Sequence, residues 1–365
     1  MSDYQNVSVV LPSLDPDDKL LAVIDGLLEY GFSDIILVND GSKPENLHYF
    51  ETAAEHPQVS LLHHEVNRGK GAALKTAFSW FLENRPNGLG VVTVDGDNQH
   101  HPEDTKACVE HMLKENKIVL GVRDFSQPDV PARSRFGNRT TSLVFKAFVG
   151  MTISDTQTGL RAFPREVLQP MLRVAGDRFE YETNMLLFMK QKALPFDEVK
   201  IRTVYIEENK SSHFRAVRDS WRIYKLILNH FFKYTASSLI SSVVDEGIFL
   251  LMAYFLQNVL EGIALTAIPV VTARAISSWV NFVINQKIVF QSEGATGRKA
   301  FRYFITTIPL LVAQMLLTYG AYSLFNIGEQ EILLRGVIYG VVMVVLFFLN
   351  FFVQQQWVFS DKKGK

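Results

Sequence analysis

The stretch that decides the fold is Val91-Val92-Thr93-Val94-Asp95-Gly96-Asp97-Asn98-Gln99-His100. Four apolar or β-branched residues predict a buried strand that runs directly into two aspartates one residue apart. Open α/β sheets bind ligands at the carboxyl edge of their strands, so both carboxylates are expected at that edge. Carboxylates beside a neutral oxygen donor suit a hard divalent cation, Mg²⁺ or Mn²⁺, held against phosphates. Taken alone, the stretch is also compatible with a strand followed by a polar turn.

Short apolar runs alternate with segments of helical spacing through the first half of the chain. This alternation predicts an α/β domain whose mostly parallel sheet is covered by helices on both faces. The expected strands are residues 7–11, 35–38, 59–62 and 91–94, and the expected helices are residues 20–30 and 71–82.

The composition changes sharply near residue 234. Residues 1–233 mix charged and apolar side chains as globular domains do, whereas residues 234–359 are mostly apolar. The 365 residues therefore favour two domains. The net charge of −1 gives no case for nucleic-acid binding. Cys108 is the only cysteine, which excludes an intrachain disulfide and fits a reducing compartment. The first apolar run has only strand length, so no signal peptide is expected.

Polar residues follow several of the expected strands. Asp40 comes after the second strand, and Asn67-Arg68-Gly69-Lys70-Gly71 opens the helix after the third. Glycines let the backbone approach a ligand closely, and a helix N-terminus with a lysine favours anions. A helix cap and a solvated loop are the simpler interpretations of each feature alone.

Five motifs occur in order over the first half of the chain. They are Val10-Leu11-Pro12, Val38-Asn39-Asp40-Gly41-Ser42, Asn67-Arg68-Gly69-Lys70-Gly71, Asp95-Gly96-Asp97-Asn98-Gln99-His100 and Asp155-Thr156-Gln157-Thr158-Gly159-Leu160-Arg161-Ala162-Phe163. Together they resemble the motifs of family 2 glycosyltransferases, which have the Rossmann-like GT-A fold. The last motif is similar to the Asp-x-x-Ser-Gly-Phe-Arg-Ala-Phe stretch of polyprenyl-phosphate sugar transferases, the dolichyl-phosphate mannosyltransferase and bactoprenol glucosyltransferase group. The resemblance covers roughly residues 5–225.

The resemblance implies a reaction. A nucleotide-diphosphate sugar would donate its sugar to the phosphate of a polyprenyl lipid, with inversion at the anomeric carbon. The leaving nucleoside diphosphate develops negative charge, which a bound cation and Lys70 would stabilise. The acceptor phosphate is already an anion, so positioning and electrostatics should dominate the catalysis.

The resemblance also implies roles at the donor end of the site. The metal ion would be held by Asp95, Asp97 and Gln99, and the catalytic residues would be Asp95, Asp97 and Asp155. Glu182 would join Asp155 near the donor sugar, although a surface glutamate and a helix cap are the alternative interpretations. The donor-binding residues would be Pro12, Asp40, Lys70, Asp95 and Asp97.

A second set of residues matches the segments that bind the acceptor phosphate in the family. A solvated helix face is the alternative interpretation of its arginines. One position departs from the family pattern, because His213 stands where lipid-phosphate mannosyltransferases carry a lysine, and no arginine matches nearby. This departure puts a mannose assignment in doubt, since a neutral histidine binds phosphate more weakly. The set is Arg123, Arg133, Arg135, Asn138 and His213.

The last third of the chain has the pattern of a membrane domain. Basic and aromatic residues interleave over residues 213–233, which predicts amphipathic interface helices between a domain at 1–212 and one at 234–365. Four apolar stretches each reach the ~20 residues needed to span a bilayer. Basic residues after the second stretch and in the C-terminal tail predict that both termini and the catalytic domain are cytoplasmic. The stretches are residues 235–256, 264–285, 303–325 and 333–355.

The membrane part contains an internal repeat. Residues 281–290 parallel residues 350–359, and each copy ends an outside-to-inside span, so two two-helix units are expected. This pattern resembles the GtrA-like family of four-helix membrane proteins, which accompany such transferases and are proposed to move lipid-linked sugars. Passive anchoring is the alternative. The fusion looks bacterial, which favours UDP-glucose or UDP-N-acetylglucosamine as donor.

Three charged residues lie inside the predicted spans. Asp245 and Glu246 fall about midway along the first span and Arg274 about midway along the second. Charges at that depth cost ~2.5–3.5 kcal/mol or more when unpaired. We therefore expect Arg274 to pair with one of the two acids inside the helix bundle.

The sequence thus predicts a multi-pass cell-membrane enzyme of envelope glycosylation. Its expected partners are a nucleotide-sugar donor, a polyprenyl-phosphate lipid and the membrane, with homo-oligomerisation left open. One alternative is a transporter or scaffold for lipid-linked sugars whose soluble half is not catalytic. A processive polysaccharide synthase is disfavoured because residues 354–357, Gln-Gln-Gln-Trp, lack the arginine of that group's motif.

Overall fold

The computed structural model describes residues 3–127, 130, 132–202, 216–259, 263–290, 292, 295–328 and 331–359. The chain divides into two compact units, Met1–Lys225 and Leu226–Lys365. The division falls inside the interface segment predicted at residues 213–233. His213 lies outside the described residues, so its predicted contact with the acceptor stays a prediction.

Among the residues that the structure describes in the first unit, seven strands form one mixed sheet. They are β1 (Val7–Ser13), β2 (Ile35–Asp40), β3 (Val59–His64), β4 (Gly90–Thr93), β5 (Ile118–Arg123), β6 (Arg161–Pro164) and β7 (Phe196–Ile201). Their order across the sheet is β3-β2-β1-β4-β6-β5-β7. Strand β6 runs antiparallel to both neighbours, and the remaining pairs are parallel. The predicted mostly parallel sheet is therefore confirmed, and all four predicted strands are present.

In the described part of the first unit, seven α-helices accompany the sheet. The buried residues of the first are spaced three and four apart, Leu20, Val23, Ile24 and Leu27, so one stripe faces the core. Strand β2 is buried along its whole length, as expected for an interior strand covered on both faces. The helices are α1 (Lys19–Glu29), α2 (Leu47–Ala54), α3 (Lys70–Asn84), α4 (Pro102–Glu115), α5 (Ala132–Val149), α6 (Arg165–Met171) and α7 (Glu180–Gln191).

The strand register brings polar residues to one edge of the sheet. Asp40 at the end of β2 lies opposite His64 at the end of β3. Thr93 at the end of β4 lies opposite Arg161, the first residue of antiparallel β6. The start of β6 therefore lies at the same edge of the sheet as the ends of the parallel strands. The fifth motif, residues 155–163, runs into β6 and lies at this edge too.

The second unit is helical. Helix α8 (Ala216–Leu256) is followed by α9 (Ile263–Ile284), α10 (Thr296–Leu324) and α11 (Ile332–Val353). Within the described residues, three segments are long and apolar enough to cross a bilayer: Phe231–Leu256, Thr296–Leu324 and Leu333–Val358. The prediction of four spans is thus confirmed for three, and spanning by α9 stays a prediction.

The two repeat copies adopt the same local structure. Each copy begins in a helix and ends in a π-helical turn, Asn285–Val289 in the first and Gln354–Val358 in the second. The Asn285 side chain donates to the Gln354 side chain across the bundle at 2.9 Å. The internal repeat predicted from the sequence is therefore present in the structure, and the copies contact each other through equivalent residues.

Hydrogen bonds between all four helices surround this contact. Tyr303 of α10 donates to Asn281 at 2.8 Å, and Asn350 of α11 donates to Tyr234 of α8 at 3.0 Å. Asn281 also donates to Ser241 of α8 at 3.0 Å. Lipid tails are as apolar as leucine, so membrane helices associate through close packing and such hydrogen bonds rather than by the hydrophobic effect.

The buried amide contact should hold the membrane unit together. Gln354→Leu removes one of the two acceptors of the Asn285 amide and leaves it only Asn281, so we expect a loss of about 1 kcal/mol and a lower unfolding temperature in detergent. Gln356→Leu is the matched control, because Gln356 is exposed in the same π-helical turn. Equal unfolding temperatures for the two variants would show that the contact contributes nothing.

The predicted intramembrane ion pair forms, although not as an interior one. Arg274 Nη2 lies 3.3 Å from Asp245 Oδ2, and Ser277 donates to Asp245 Oδ1 at 2.7 Å. The Arg274 side chain is nevertheless 72% exposed, and Glu246 is also exposed. The expectation that the arginine faces the inside of the bundle was therefore wrong, because Asp245 is reached from the rim of the helix pair.

Candidate active site

A lysine held between two carboxylates is the centre of the polar edge. Lys70 Nζ lies 2.7 Å from Asp95 Oδ1 and 2.9 Å from Glu182 Oε1. These residues come from the start of α3, the end of β4 and the first turn of α7. Burial alone lowers the pKa of Lys70, but the two carboxylates outweigh it and raise that pKa above its ordinary value. The lysine is therefore a fixed cation at this edge.

Backbone contacts bring Glu182 to the lysine. Gly69 has φ +103°, and a Cβ built on it would lie 2.4 Å from the carbonyl oxygen of Asp177. Ala72 N–H donates to that same oxygen at 2.9 Å, and Lys75 donates to the Asp177 carboxylate at 2.9 Å. The first glycine of the Gly-Lys-Gly motif thus lies where the start of α3 packs against the segment that leads into α7. A side chain at this position would not fit.

Asp97 is the second carboxylate after β4. Its Oδ1 accepts the Gln99 N–H at 3.1 Å. Burial raises the pKa of Asp97, and the negative charge of Asp95 raises it further. In contrast, Lys70 and His100 outweigh burial and lower the pKa of Asp95. The pair is therefore asymmetric: Lys70 forms an ion pair with Asp95 at 2.7 Å, whereas Asp97 forms no ion pair among the described residues.

His100 is a buried neighbour of this pair that the sequence motif contained without a role. Its Nε2 lies 3.7 Å from Asp95 Oδ2, and its Nδ1 has no hydrogen-bond partner among the described residues. No group of three or more histidine, cysteine or acidic side chains in the described part of the chain is arranged to hold a metal. The predicted ligands Asp95, Asp97 and Gln99 thus supply two carboxylates and one amide.

Gly159 contacts the Asp95 carboxylate from the start of β6. A Cβ built on Gly159 would lie 2.2 Å from Asp95 Oδ2, closer than atoms can approach. Thr93 Oγ1 donates to the Gly159 carbonyl at 2.6 Å and fixes this close approach. The fifth motif therefore requires glycine at this position, because a side chain would clash with Asp95.

Gly159→Ala should displace the Asp95 carboxylate while leaving the sheet intact. We expect turnover to fall by roughly two orders of magnitude, the range typical of losing one electrostatic stabiliser. Gly96→Ala is the matched substitution, since its Cβ would meet nothing closer than 3.4 Å. Steady-state kinetics and circular dichroism of both variants test this, and a Gly159→Ala enzyme as active as Gly96→Ala would refute it.

Asp155 is fully buried and paired with Arg123. Arg123 Nε donates to Asp155 Oδ2 at 2.7 Å and Nη2 donates to Oδ1 at 3.2 Å, a two-point contact. The Gln157 N–H donates to Oδ1 at 3.1 Å. Asp155 thus fixes the orientation of the Arg123 side chain at the end of β5. The role that the structure shows for Asp155 is therefore to position Arg123.

A cleft of about 380 Å³ opens beside this arginine. Asn138 of α5 lies at its wall, donates to the Ser154 carbonyl at 2.8 Å and keeps its buried Oδ1 without a partner among the described residues. Arg123 and Asn138 are thus the two predicted acceptor residues that the structure brings together. The lining residues are Val122, Arg123, Asp124, Phe125, Asn138, Ser154, Glu198 and Lys200.

The other predicted acceptor residues lie elsewhere. Arg135 is exposed on α5, and its Nη2 donates to the backbone carbonyl of Gln127 at 2.8 Å. Arg133 lies in the first turn of the same helix, and its side chain is outside what the structure describes. Their assignment to the acceptor phosphate stays a prediction.

Asp40 is engaged by the loop that precedes Lys70. Its Oδ1 accepts the Arg68 N–H at 2.9 Å and its Oδ2 accepts the Gly69 N–H at 2.7 Å. His64 Nδ1 approaches Oδ1 at 2.7 Å, and His64 Nε2 lies 2.9 Å from the Thr76 hydroxyl of α3. A nucleotide contact by Asp40 stays a prediction, as does one by half-buried Pro12 on β1.

His64 is a residue that the sequence did not single out. Because a carboxylate only accepts, Nδ1 donates to Asp40, and Nε2 forms a second hydrogen bond with the Thr76 hydroxyl. The ring therefore joins the end of β3 to the loop and to α3, and so acts on the position of Lys70. Its only sequence signal is a histidine three residues before the Asn67 motif.

A double-mutant cycle tests this chain of contacts. His64→Leu leaves Asp40 buried with one donor fewer, which should cost ~1–3 kcal/mol of stability and lower turnover. His64→Asn retains an N–H for Asp40 and should recover most of the turnover. If His64 acts through Lys70, His64→Leu will matter little to turnover once Lys70→Met is present. Additive losses in the cycle would contradict that route.

Arg161 is a buried cation in the middle of the site. Its Nε donates to the Thr158 carbonyl at 3.0 Å and its Nη1 donates to the Glu182 carbonyl at 2.8 Å. Burial lowers the pKa of Arg161, whereas the nearby carboxylates of Glu182, Asp155 and Asp95 favour its charged form. In the sequence, Arg161 was part of the fifth motif and had no assigned role.

This fold and site define a glycosyltransferase of the GT-A type with a membrane-spanning helical part. Residues 8–172 match the family model described as glycosyl transferase family 2, and residues 233–359 match the GtrA/DPMS transmembrane domain. The chain therefore carries a family 2 glycosyltransferase domain and a GtrA/DPMS transmembrane domain, and it has relatives that are named as polyprenyl-phosphate sugar transferases.

Two of the following three relatives are named as polyprenyl-phosphate sugar transferases. An uncharacterized protein of Methanocaldococcus jannaschii is 28% identical over 231 residues, covering 62% of this chain and 93% of the relative. The UDP-N-acetylglucosamine–dolichyl-phosphate N-acetylglucosaminyltransferase of Methanococcus voltae is 26% identical over 223 residues, covering 55% and 86%. The undecaprenyl-phosphate 4-deoxy-4-formamido-L-arabinose transferase of Pectobacterium atrosepticum is 28% identical over 180 residues, covering 47% and 53%.

Proposed function

We propose that the protein transfers glucose or N-acetylglucosamine from its UDP-sugar to undecaprenyl phosphate on the cytoplasmic face of the membrane. The observation that carries the proposal is the Lys70 ammonium, which lies between the carboxylates of Asp95 and Glu182 at the sheet edge that also carries Asp97. A fixed cation beside the predicted metal ligands suits a diphosphate leaving group. The Methanococcus voltae relative, whose name gives UDP-N-acetylglucosamine as donor, supports the uridine nucleotide.

The donor diphosphate is expected at the ends of β1 and β4. When bound there, Mg²⁺ or Mn²⁺ would supply Lewis-acid stabilisation of the charge that develops on the leaving diphosphate. Mg²⁺ is usually held by one or two carboxylates plus substrate phosphates, so Asp95, Asp97 and Gln99 are a sufficient donor set. The raised pKa of Asp97 fits this role, because a cation would relieve its repulsion from Asp95.

Transfer at this site needs no proton acceptor. An oxygen of the lipid phosphate attacks the anomeric carbon while the bond from that carbon to the diphosphate oxygen breaks, which inverts the centre. The acceptor oxygen is already anionic, and the electron pair of the broken bond leaves on the diphosphate. Lys70 remains protonated because of its raised pKa and can turn an N–H toward the leaving oxygen.

The acceptor phosphate is placed in the cleft beside Arg123. The cleft offers the guanidinium of Arg123 and the ammonium of Lys200 at its rim. Because Asp155 holds the guanidinium from behind, Arg123 presents a preset orientation to an anion. The undecaprenyl-phosphate relative supports a lipid phosphate as the acceptor.

A donor panel tests the proposal. Purified full-length protein is incubated with undecaprenyl phosphate and radiolabelled UDP-glucose, UDP-N-acetylglucosamine or GDP-mannose, and label in the lipid extract is counted. Transfer from a UDP-sugar, stopped by omitting the lipid phosphate, is the expected result. Transfer from GDP-mannose alone, or release of free sugar without lipid product, would overturn it.

Asp97→Asn tests the metal site. The change keeps the side-chain shape and removes the charge, so turnover should fall by roughly two orders of magnitude or more. Excess chelator should abolish wild-type activity, and added Mg²⁺ or Mn²⁺ should restore it. Near-normal turnover by a folded Asp97→Asn enzyme, or activity that persists in chelator, would exclude this role.

Lys200→Glu tests the acceptor cleft. Lys200 is exposed at the cleft rim, so reversing its charge should not disturb folding. We expect the KM for the lipid phosphate to rise several-fold while the KM for the UDP-sugar stays unchanged. Lys192→Glu, an equal charge change at an exposed position outside the cleft lining, controls for general repulsion from anionic lipid. An equal effect of both variants would argue against the cleft.

A non-catalytic scaffold is disfavoured, because the soluble part of the chain matches a glycosyltransferase family. Both the cytoplasmic orientation and the cell-envelope role remain part of this proposal.

A further inference from the structure

Two charged side chains face outward near the middle of the membrane unit. Glu246 lies ten residues before the end of the candidate span Phe231–Leu256, which is about 15 Å along the helix, and about 22 Å from its start. Arg274 lies at the same depth, because it contacts Asp245 of the same helical turn at 3.3 Å. Both are therefore well inside a hydrocarbon core of ~30 Å.

The two charges differ from Asp245 in how they are satisfied. Asp245 is three-quarters buried and accepts from Ser277 and Arg274. Arg274 is 72% exposed and uses one of its donor nitrogens in this contact. Glu246 is exposed and has no ion pair or hydrogen bond among the described residues. Lipid tails offer neither donors nor acceptors, so both groups carry a large desolvation cost if lipid covers them.

The surroundings have the composition of a helix contact surface. On α8 the exposed residues Leu239, Val243 and Leu250 lie on the same stripe as Glu246, at spacings of three and four. Ser242 is exposed one turn before Glu246, and Gly247 has open space beside it. On α9 the exposed residues Val270 and Val271 lie one turn before Arg274. We call this surface the α8–α9 face.

We propose that the α8–α9 face contacts the same face of a second copy of this chain, with Glu246 of each copy paired to Arg274 of the other. All copies insert in one orientation, so a two-fold axis along the membrane normal places the two residues at equal depth. Such a contact is self-complementary, since each copy supplies both the acid and the base. A different membrane protein would need opposite charges at that depth by coincidence. Small and polar residues on the face allow close approach of the helices.

Photo-crosslinking in native membranes tests the contact without altering any charge. A benzophenone amino acid replaces Val243, which is 73% exposed on the α8–α9 face, or Val344, which is 56% exposed on α11. We expect irradiation to give a covalent species of twice 41.4 kDa from position 243, at least ten-fold above the yield from position 344. Equal yields from both positions, or adducts at 243 only with other proteins, would overturn the proposal.

The ionic pairing has its own test. Glu246→Leu removes the outward carboxylate and leaves the contacts of Asp245 in place, so the chain should fold. In the chain that carries the benzophenone amino acid at position 243, Glu246→Leu should lower the yield of crosslinked dimer about ten-fold. The unfolding temperature of the monomeric Glu246→Leu chain in detergent should not fall. A crosslink yield unchanged by Glu246→Leu would refute the charge pairing. A wild-type chain that is only monomeric by native mass spectrometry from nanodiscs would refute the second copy.

Discussion

The ammonium of Lys70 is the interaction on which the first unit's polar edge depends. It joins three elements that are far apart in sequence, the start of α3, the end of β4 and the first turn of α7, through contacts of 2.7 and 2.9 Å. Without it, the carboxylates of Asp95 and Glu182 would lie at the same edge with no cation between them and would repel each other. Because the lysine is positive at every physiological pH, the same contact that assembles the site also leaves a cation where an anionic leaving group is expected.

A series of hydrogen bonds holds the element that carries Lys70 in place. Asp40 accepts from the loop before α3, His64 is hydrogen-bonded to Asp40, and Thr76 of α3 is hydrogen-bonded to His64. On the opposite side, Gly159 lets β6 approach Asp95 closely enough that no side chain fits between them. The positions that matter most for the charge arrangement are therefore a glycine and a buried histidine, which carry no chemistry themselves. The membrane unit follows the same rule with amides, since Asn285 and Gln354 hold helices that lipid does not drive together.

Much of this was predictable from sequence where a pattern is local. The four apolar runs identified β1 to β4, and the spacing of Asp95 and Asp97 after β4 identified the polar edge. Strand β6 was missed because it has only four residues and begins with a charge, Arg161, whose burial depends on partners distant in sequence. The roles of His64 and of Asp155 toward Arg123 likewise depend on contacts across the sheet edge. The sequence prediction that Arg274 faces the inside of the bundle was wrong, because depth in a span does not specify which face of a helix a residue occupies.

The burial of Cys108 limits the thiol chemistry of the folded protein. The one thiol in 365 residues is completely buried in the core beside the sheet, and burial raises its pKa to about 12. A thiol that is almost never ionised and never meets solvent neither forms adducts nor exchanges with disulfides. The folded protein thus undergoes no thiol–disulfide exchange as the redox conditions change. Any cysteine introduced on its surface would be the one position that a thiol-directed label reports.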